Sequence, residues 1–192
     1  MKSHSLELPI PTRAGRFIAH YSEKGLAGLE FPSLVSRRRG NESQNCSGTN
    51  AAVRDSSRRL LPVPAKISRW HRLTETALKK ILTSSAPKTF PPLDLSAGTE
   101  FQKRVWNALR KISLGETKSY GEIARQIGKP RAVRAVGGAC GANPIPVLVP
   151  CHRVLAANKK LGGFSGGLDW KRDLLKRKGI SFRSSASHRS AP

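Results

Sequence analysis

The sequence predicts an α+β fold in two parts. A small N-terminal α/β domain occupies residues 1–92, and a mostly helical domain with a helix-turn-helix occupies 93–180. Three observations carry this reading. An alternating apolar hairpin stands near the N-terminus. Two capping boxes open helices in the second half. Between these helices and the C-terminus, the apolar run Val147-Leu148-Val149 delivers Pro150-Cys151-His152-Arg153-Val154. With 192 residues, 38% of them hydrophobic, the chain can bury a core in each part.

In the first part, Phe17–Tyr21, the turn Ser22-Glu23-Lys24-Gly25 and Leu26–Phe31 read as two strands and their turn. Residues 36–66 are rich in Arg, Ser, Asn and Gly and lack periodicity, which predicts a disordered basic insertion. Ile67, Trp70, Leu73, Ala77, Leu78 and Ile81 recur at helical spacing and predict an amphipathic helix. Pro87–Leu95 reads as a linker.

The second part has sharper signals. Thr99 and Gln102 form a capping box for a helix that buries Phe101, Val105, Trp106, Leu109 and Ile112, with Gly115 beyond its end. Ser119 and Glu122 form another, opening a short helix through Ile123, Ala124 and Ile127 that closes at Gly128. Pro130 suits the first turn of the next helix, Arg131 to about Cys140. Two short helices about a Gly-containing turn make a helix-turn-helix. Apart from Arg131 and Arg134, the second helix is small-residued and lacks long polar side chains to read base edges. Close approach to a narrow groove, tolerant of sequence, is expected instead. A Pro-stiffened turn, Gly141–Pro146, leads to the thiol. The Gly-rich loop Gly162–Gly167 lacks the Lys-Ser/Thr pair of a P-loop and reads as a pocket lid. Leu168–Lys178 is the final helix, and a disordered polar tail occupies 181–192.

Charge points to the partner. Lys and Arg number 35 against 12 Asp and Glu, a net +23 spread over both halves, which calls for a polyanion such as nucleic acid. The three cysteines, Cys46, Cys140 and Cys151, show no paired spacing, so a disulfide framework is not expected and a reducing compartment fits. No spacing suggests a metal site, and no apolar run is long enough to span a bilayer. Thiolate is the reactive form of cysteine, and a neighbouring base and positive charge lower its pKa from about 8.5. His152 and Arg153 supply both in sequence.

Phe101-Gln102-x-x-Val105-Trp106, Ser119-Tyr120, Arg134-Ala135-Val136-Gly137-Gly138, Asn143-Pro144 and Pro150-Cys151-His152-Arg153-Val154, in this order, resemble the methylated-DNA–protein-cysteine methyltransferase family. The resemblance runs from about Gly98 to Gly179; the N-terminal match is looser and implies a ribonuclease-H-like domain. It implies that Cys151 accepts an alkyl group from 6-O-alkylguanine, or from 4-O-methylthymine, in double-stranded DNA. His152 would be the base, through a bridging water. Tyr120 would press on the 3′ phosphate and donate to the flipped guanine. Arg134 would fill the vacated stack, with Arg131 beside it on DNA. Asn143 would tie the helix-turn-helix to the active-site turn, and Pro146, Val154, Phe164, Ser165 and Gly166 would line the pocket. The carbonyls of Cys151 and Val154 would accept from the guanine amino group, and the Ser165 amide would donate to the substituted oxygen. No cofactor and no metal is implied. A monomer in the cytoplasm on the nucleoid, or in a eukaryotic nucleus, is expected.

Two positions depart from the family pattern. Phe164 stands where many relatives carry Tyr, and Lys178 where a Glu usually completes a Cys–water–His–Glu relay. A lysine has donors only and cannot accept from an imidazole N–H; on its own, Lys178 also suits the negative end of a helix. A sensor or regulator that recognises alkylated DNA without removing the lesion is the first rival, and a Cys151–His152 hydrolase the second.

Overall fold

The computed structural model describes residues 6–32, 52–54 and 60–183. The chain forms two compact units: Met1–Lys79 with Pro87–Asp94, and Lys80–Ala86 with Leu95–Pro192.

In the first unit, β1 (Leu6–Thr12), β2 (Gly15–Tyr21) and β3 (Leu26–Glu30) form an antiparallel sheet in the order β1-β2-β3. Leu8 opposite Ala19 and Ile10 opposite Phe17 put the period-two apolar residues on one buried face. Strand β1 was not expected, because Pro9 and Pro11 interrupt its alternation. It is an edge strand, where a missing N–H is tolerated.

Residues 36–51 and 55–59 of the expected insertion lie outside the described residues. Within it, β4 (Ala52–Arg54) and β5 (Leu60–Pro62) pair antiparallel, and the following helix starts at Ala65, so the span 36–66 is not uniformly without structure. The short apolar runs Ala51-Ala52-Val53 and Leu60-Leu61 are what the compositional reading averaged away.

Helix α1 (Ala65–Leu82) turns Trp70, Thr74, Ala77, Leu78 and Ile81 inward. The Tyr21 hydroxyl donates to Thr74 Oγ1 at 2.9 Å and lies 3.2 Å from His71 Nδ1; burial pushes its pKa up to about 12. The expected linker is not free. The Leu26 N–H donates to the Pro92 carbonyl, and the Asp94 N–H to the Leu26 carbonyl, so 92–94 run beside the start of β3.

In the second unit, α2 (Glu100–Leu109) and α3 (Tyr120–Gln126) both carry the expected capping boxes, from Thr99 with Gln102 and from Ser119 with Glu122. Helix α2 ends earlier than expected, with Ile112 buried just beyond its C-cap. Trp106 donates its indole N–H to the Ala139 carbonyl at 2.8 Å, pinning α2 to α4 (Val133–Gly141). Helix α4 begins at Val133, not Arg131; Pro130 and Arg131 belong to the turn.

Two-residue strands β6 (Lys118–Ser119) and β7 (Val154–Leu155) pair in parallel and so set the start of α3 beside the end of the Cys151 turn. The last helix, α5 (Leu168–Lys176), stops before Lys178. The start of the expected tail is ordered. Ile180 and Phe182 pack on Leu155, Leu161 and Leu175, and the Arg183 N–H donates to the Lys159 carbonyl at 2.9 Å. Residues 184–192 lie outside the described residues.

Candidate active site

Cys151 opens a single 3-10 turn, Cys151–Arg153, and is 3% exposed. The chain reaches it through a tight turn. The Val149 N–H donates to the Ile145 carbonyl, and Val147 between them has φ +75°, a left-handed conformation that a β-branched residue adopts only under strain. The Asn143 side chain organises this turn. Its Nδ2 donates to the Val149 carbonyl at 2.9 Å and to Cys151 Sγ at 3.0 Å, and its Oδ1 accepts the Ile145 N–H at 3.1 Å. Three buried groups are thus satisfied by one side chain that follows α4 directly.

The thiol is not poised as the sequence suggested. Burial pushes its pKa up to about 11, against the Asn143 hydrogen bond and the Lys171 charge, which pull down. The adjacent cation is not the one expected either. The Arg153 guanidinium donates to the Ile112 and Ser113 carbonyls at 3.0 and 3.2 Å, beyond the end of α2.

Lys171, which the sequence reading passed over, is the cation felt by the thiol. Its side chain is fully buried. Nζ donates to the Val154 carbonyl at 2.8 Å and to the Gly163 carbonyl at 3.2 Å, and burial lowers its pKa to about 8. A signal was available. Lys171 stands three and four residues before Leu174 and Leu175, on the buried stripe of an amphipathic helix. The Val154 carbonyl accepts from Lys171 and keeps a second lone pair for a ligand.

His152 is fully buried, and among the described residues neither ring nitrogen has a hydrogen-bond partner. Burial first, then the charges of Arg153, Lys171 and Lys178, hold its pKa well below the usual imidazole range, so the ring is neutral. The Phe164 ring meets it edge-on at 6.4 Å between centroids.

Lys178 is engaged elsewhere: its Nζ donates to the Ile81 carbonyl at 2.8 Å. Its neighbour Arg177 donates to the Leu82 carbonyl at 3.1 Å, and Ser84 donates to the Arg177 carbonyl. Lys178 does meet the carbonyl end of a helix, but the helix is α1, not its own.

Tyr120, half-buried at the start of α3, has its pKa pushed up to about 12 by burial and then by the neighbouring Cys140 and Cys151 thiols. The glycine loop approaches it closely. A Cβ on Gly162, where φ is +64°, would lie 2.8 Å from the Tyr120 hydroxyl. This loop position therefore requires glycine for both reasons. Cys140 is buried, as expected of an apolar filler, but it shares the electrostatic neighbourhood of Cys151, Tyr120 and Lys171.

Arg131, in the turn, and Arg134, on α4, are exposed with Ser165; Gly166 is half-buried and Pro146 buried. The structure thus brings Asn143, Cys151, His152 and Phe164 together, with Tyr120 electrically coupled to the thiol, and leaves the two arginines on the surface. Among the described residues, no cluster of three or more His, Cys, Asp or Glu side chains is arranged to hold a metal, and no helix is long and apolar enough to cross a membrane.

A profile for the DNA-binding domain of 6-O-methylguanine DNA methyltransferase matches residues 100–180. A methylated-DNA–protein-cysteine methyltransferase of Methanosarcina acetivorans is 62% identical over 82 residues, 43% of this chain and 53% of that protein. One from Haemophilus influenzae is 48% identical over 95 residues, 50% of this chain and 53% of that protein. The chain thus spans about half the length of these relatives. Crystal structures extend the likeness over both units. The Mycobacterium tuberculosis O6-methylguanine methyltransferase aligns at 34% identity with a TM-score of 0.62, covering 93% of this chain and 95% of that one. The M. tuberculosis OGT in complex with DNA aligns at 35% identity with a TM-score of 0.61, covering 89% and 91%. On sequence, fold and coverage, the chain belongs to the methylated-DNA–protein-cysteine methyltransferase family.

Proposed function

We propose that this chain repairs double-stranded DNA by moving a methyl or other alkyl group from 6-O-alkylguanine, and from 4-O-methylthymine, onto Cys151 Sγ, once per molecule. The observation that carries this reading is the buried thiol held 3.0 Å from Asn143, directly after a helix-turn-helix that also brings in Tyr120. The M. tuberculosis relative solved in complex with DNA supports the choice of partner.

The step is an in-line displacement. The Cys151 sulfur forms a bond to the alkyl carbon as the carbon–oxygen bond to the base breaks. His152, neutral at rest, takes the thiol proton through a water and later releases it to solvent, while one proton passes through the Tyr120 hydroxyl to the departing guanine and is restored to Tyr120 from solvent. Tyr120, its hydroxyl kept protonated by burial, donates to the base as charge develops. Lys171 stabilises the thiolate while holding the pocket carbonyls of Val154 and Gly163. A resting pKa of about 11 keeps the thiol protected until a base occupies the pocket and the proton has somewhere to go.

Arg134, exposed on α4, replaces the flipped base in the stack, and Arg131 contacts the backbone beside it. Flipping costs a few kcal/mol, least for a poorly paired base, which favours lesions. Phe164, Ser165, Gly166 and Pro146 complete the pocket. The N-terminal unit is a reduced ribonuclease-H-like domain, supported by its three antiparallel strands followed by a helix. The protein acts as a monomer on the nucleoid, or in the nucleus of a eukaryote.

Counting products tests this: demethylated guanine should plateau at one per protein chain, and Cys151→Ala should bind duplex but transfer nothing. Turnover beyond one per chain would refute it. One observation favours a slower, sensor-like variant of the same reading. Lys178 leaves His152 without the usual carboxylate, and among the described residues no side chain hydrogen-bonds either ring nitrogen.

A further inference from the structure

A cleft of about 250 Å³ opens between α2 and the end of α3, lined by Arg104, Asn107, Ala108, Lys111, Gln126 and Ile127. Arg104, Asn107 and Lys111 recur at helical spacing as an exposed stripe, with the buried Ala108 at its floor. The stripe of Val105, Trp106 and Leu109 is buried, with Trp106 bonded to α4. The cleft is also apart from the candidate active site. Tyr120 begins α3 and Ile127 caps its end, a separation of about 10 Å at 1.5 Å per residue.

The lining offers donors and almost no acceptors. Among the described residues the Arg104 and Lys111 side chains form no ion pair or hydrogen bond; Glu100, one turn before Arg104, is held by Lys103 at 2.9 Å and feels the Arg104 charge only weakly. Each amide has its oxygen turned to a cation. Gln126 Oε1 accepts from Lys118 at 3.0 Å, and Asn107 Oδ1 accepts weakly from Arg110 at 3.5 Å. Their NH2 groups are what remain for a ligand, beside two cations, and no carboxylate lines the cleft. A concave surface of two cations and two amide donors complements an oxyanion with several acceptor oxygens.

We propose that this cleft binds a backbone phosphate of a second nucleic-acid segment, distinct from the duplex that α3 and α4 hold. The inference rests on the DNA-binding reading above. A second site would let the protein hold one segment while engaging another, raising the local concentration of DNA around the chain.

Isothermal titration with a duplex of about 12 base pairs, at about 50 mM salt, tests it. The native chain should show two classes of site. Log Kd of the weaker class should track log salt with a slope near 0.9, that of about one phosphate. Arg104→Ala/Lys111→Ala should abolish the weaker class and keep the tighter one, while Arg134→Ala weakens the tighter one. The double variant should react with free 6-O-benzylguanine at the native rate, which also verifies its fold. A single class of site in the native chain would overturn the proposal, as would survival of the weaker class in the double variant. So would a double variant that loses binding to poly-glutamate but not to DNA, which would make the cleft a site for acidic protein. Failure of the native chain to react with 6-O-benzylguanine would instead strike the proposed function and leave the two-site titration to be judged by itself.

Discussion

Lys178→Glu separates what this position does for stability from what it does for chemistry. In the native chain its ammonium donates to the Ile81 carbonyl at 2.8 Å, in the last turn of α1. The substitution removes one part-buried, charge-assisted hydrogen bond, about 1.5 kcal/mol. It also sets a carboxylate against the negative end of a helix, about 0.3–1 kcal/mol. A destabilisation of about 2 kcal/mol follows, lowering Tm by roughly 4–8 °C for a chain of this size. The effect on the thiol runs the other way. The Lys178 charge is one of three that hold the His152 proton affinity down, and reversing its sign favours imidazolium. A gain of about tenfold in transfer rate corresponds to about 1.4 kcal/mol in the barrier. Single-turnover reaction with free 6-O-benzylguanine from pH 6 to 9 reads it without base flipping. Burial, then Arg153 and Arg177, lower the Lys178 pKa to about 8, so the native residue discharges above that pH. The rate ratio should therefore be largest below pH 8 and shrink above it. Lys178→Met, which removes the cation without adding an acceptor, should fall between the two. If Lys178→Glu is no faster than native at any pH, the charge at this position does not govern His152.

Asn143→Ala should slow transfer at least a hundredfold and cost about 3 kcal/mol in urea unfolding. It strands a buried Ile145 N–H and Val149 carbonyl and removes the donor to Cys151 Sγ. A native transfer rate in this variant would detach Asn143 from the chemistry. In the DNA-free protein, alkylation of Cys151 by iodoacetamide should climb through pH 9 without a plateau, because the deprotonated fraction still grows tenfold per unit below a pKa of about 11. A plateau near pH 7 would mean that the resting thiol is already ionised.

The residues that announce the site in sequence are those whose chemistry is local. Thr99 with Gln102 and Ser119 with Glu122 name their helices, because a capping box is satisfied within four residues. The family resemblance places Asn143 at the active-site turn, and its hydrogen bond to Cys151 Sγ is an addition of the structure. What was hidden depends on contacts far along the chain. Arg153 reads as the partner of its neighbour Cys151, yet its guanidinium satisfies carbonyls some forty residues away, at Ile112 and Ser113. Lys171 lies on the Leu174 and Leu175 stripe in sequence, but only the packing of α5 shows that the Val154 and Gly163 carbonyls receive it. Lys178 belongs to α1, ninety-seven residues earlier. The thiol's raised pKa follows from burial, which no neighbour in the sequence reveals. Strand β1 was masked by its own prolines, which only the topology of the sheet makes acceptable.

The central claim is that Cys151, and no other group, takes the alkyl carbon. Incubating the protein with an excess of duplex carrying one 6-O-methylguanine, then mapping its peptides by mass spectrometry, tests it most directly. The account predicts one methyl group per chain, on the peptide holding Cys151 and on its sulfur, with Cys140 and His152 unmodified. A methyl group on Cys140 or His152, or demethylated guanine with no methyl left on the protein, would contradict it.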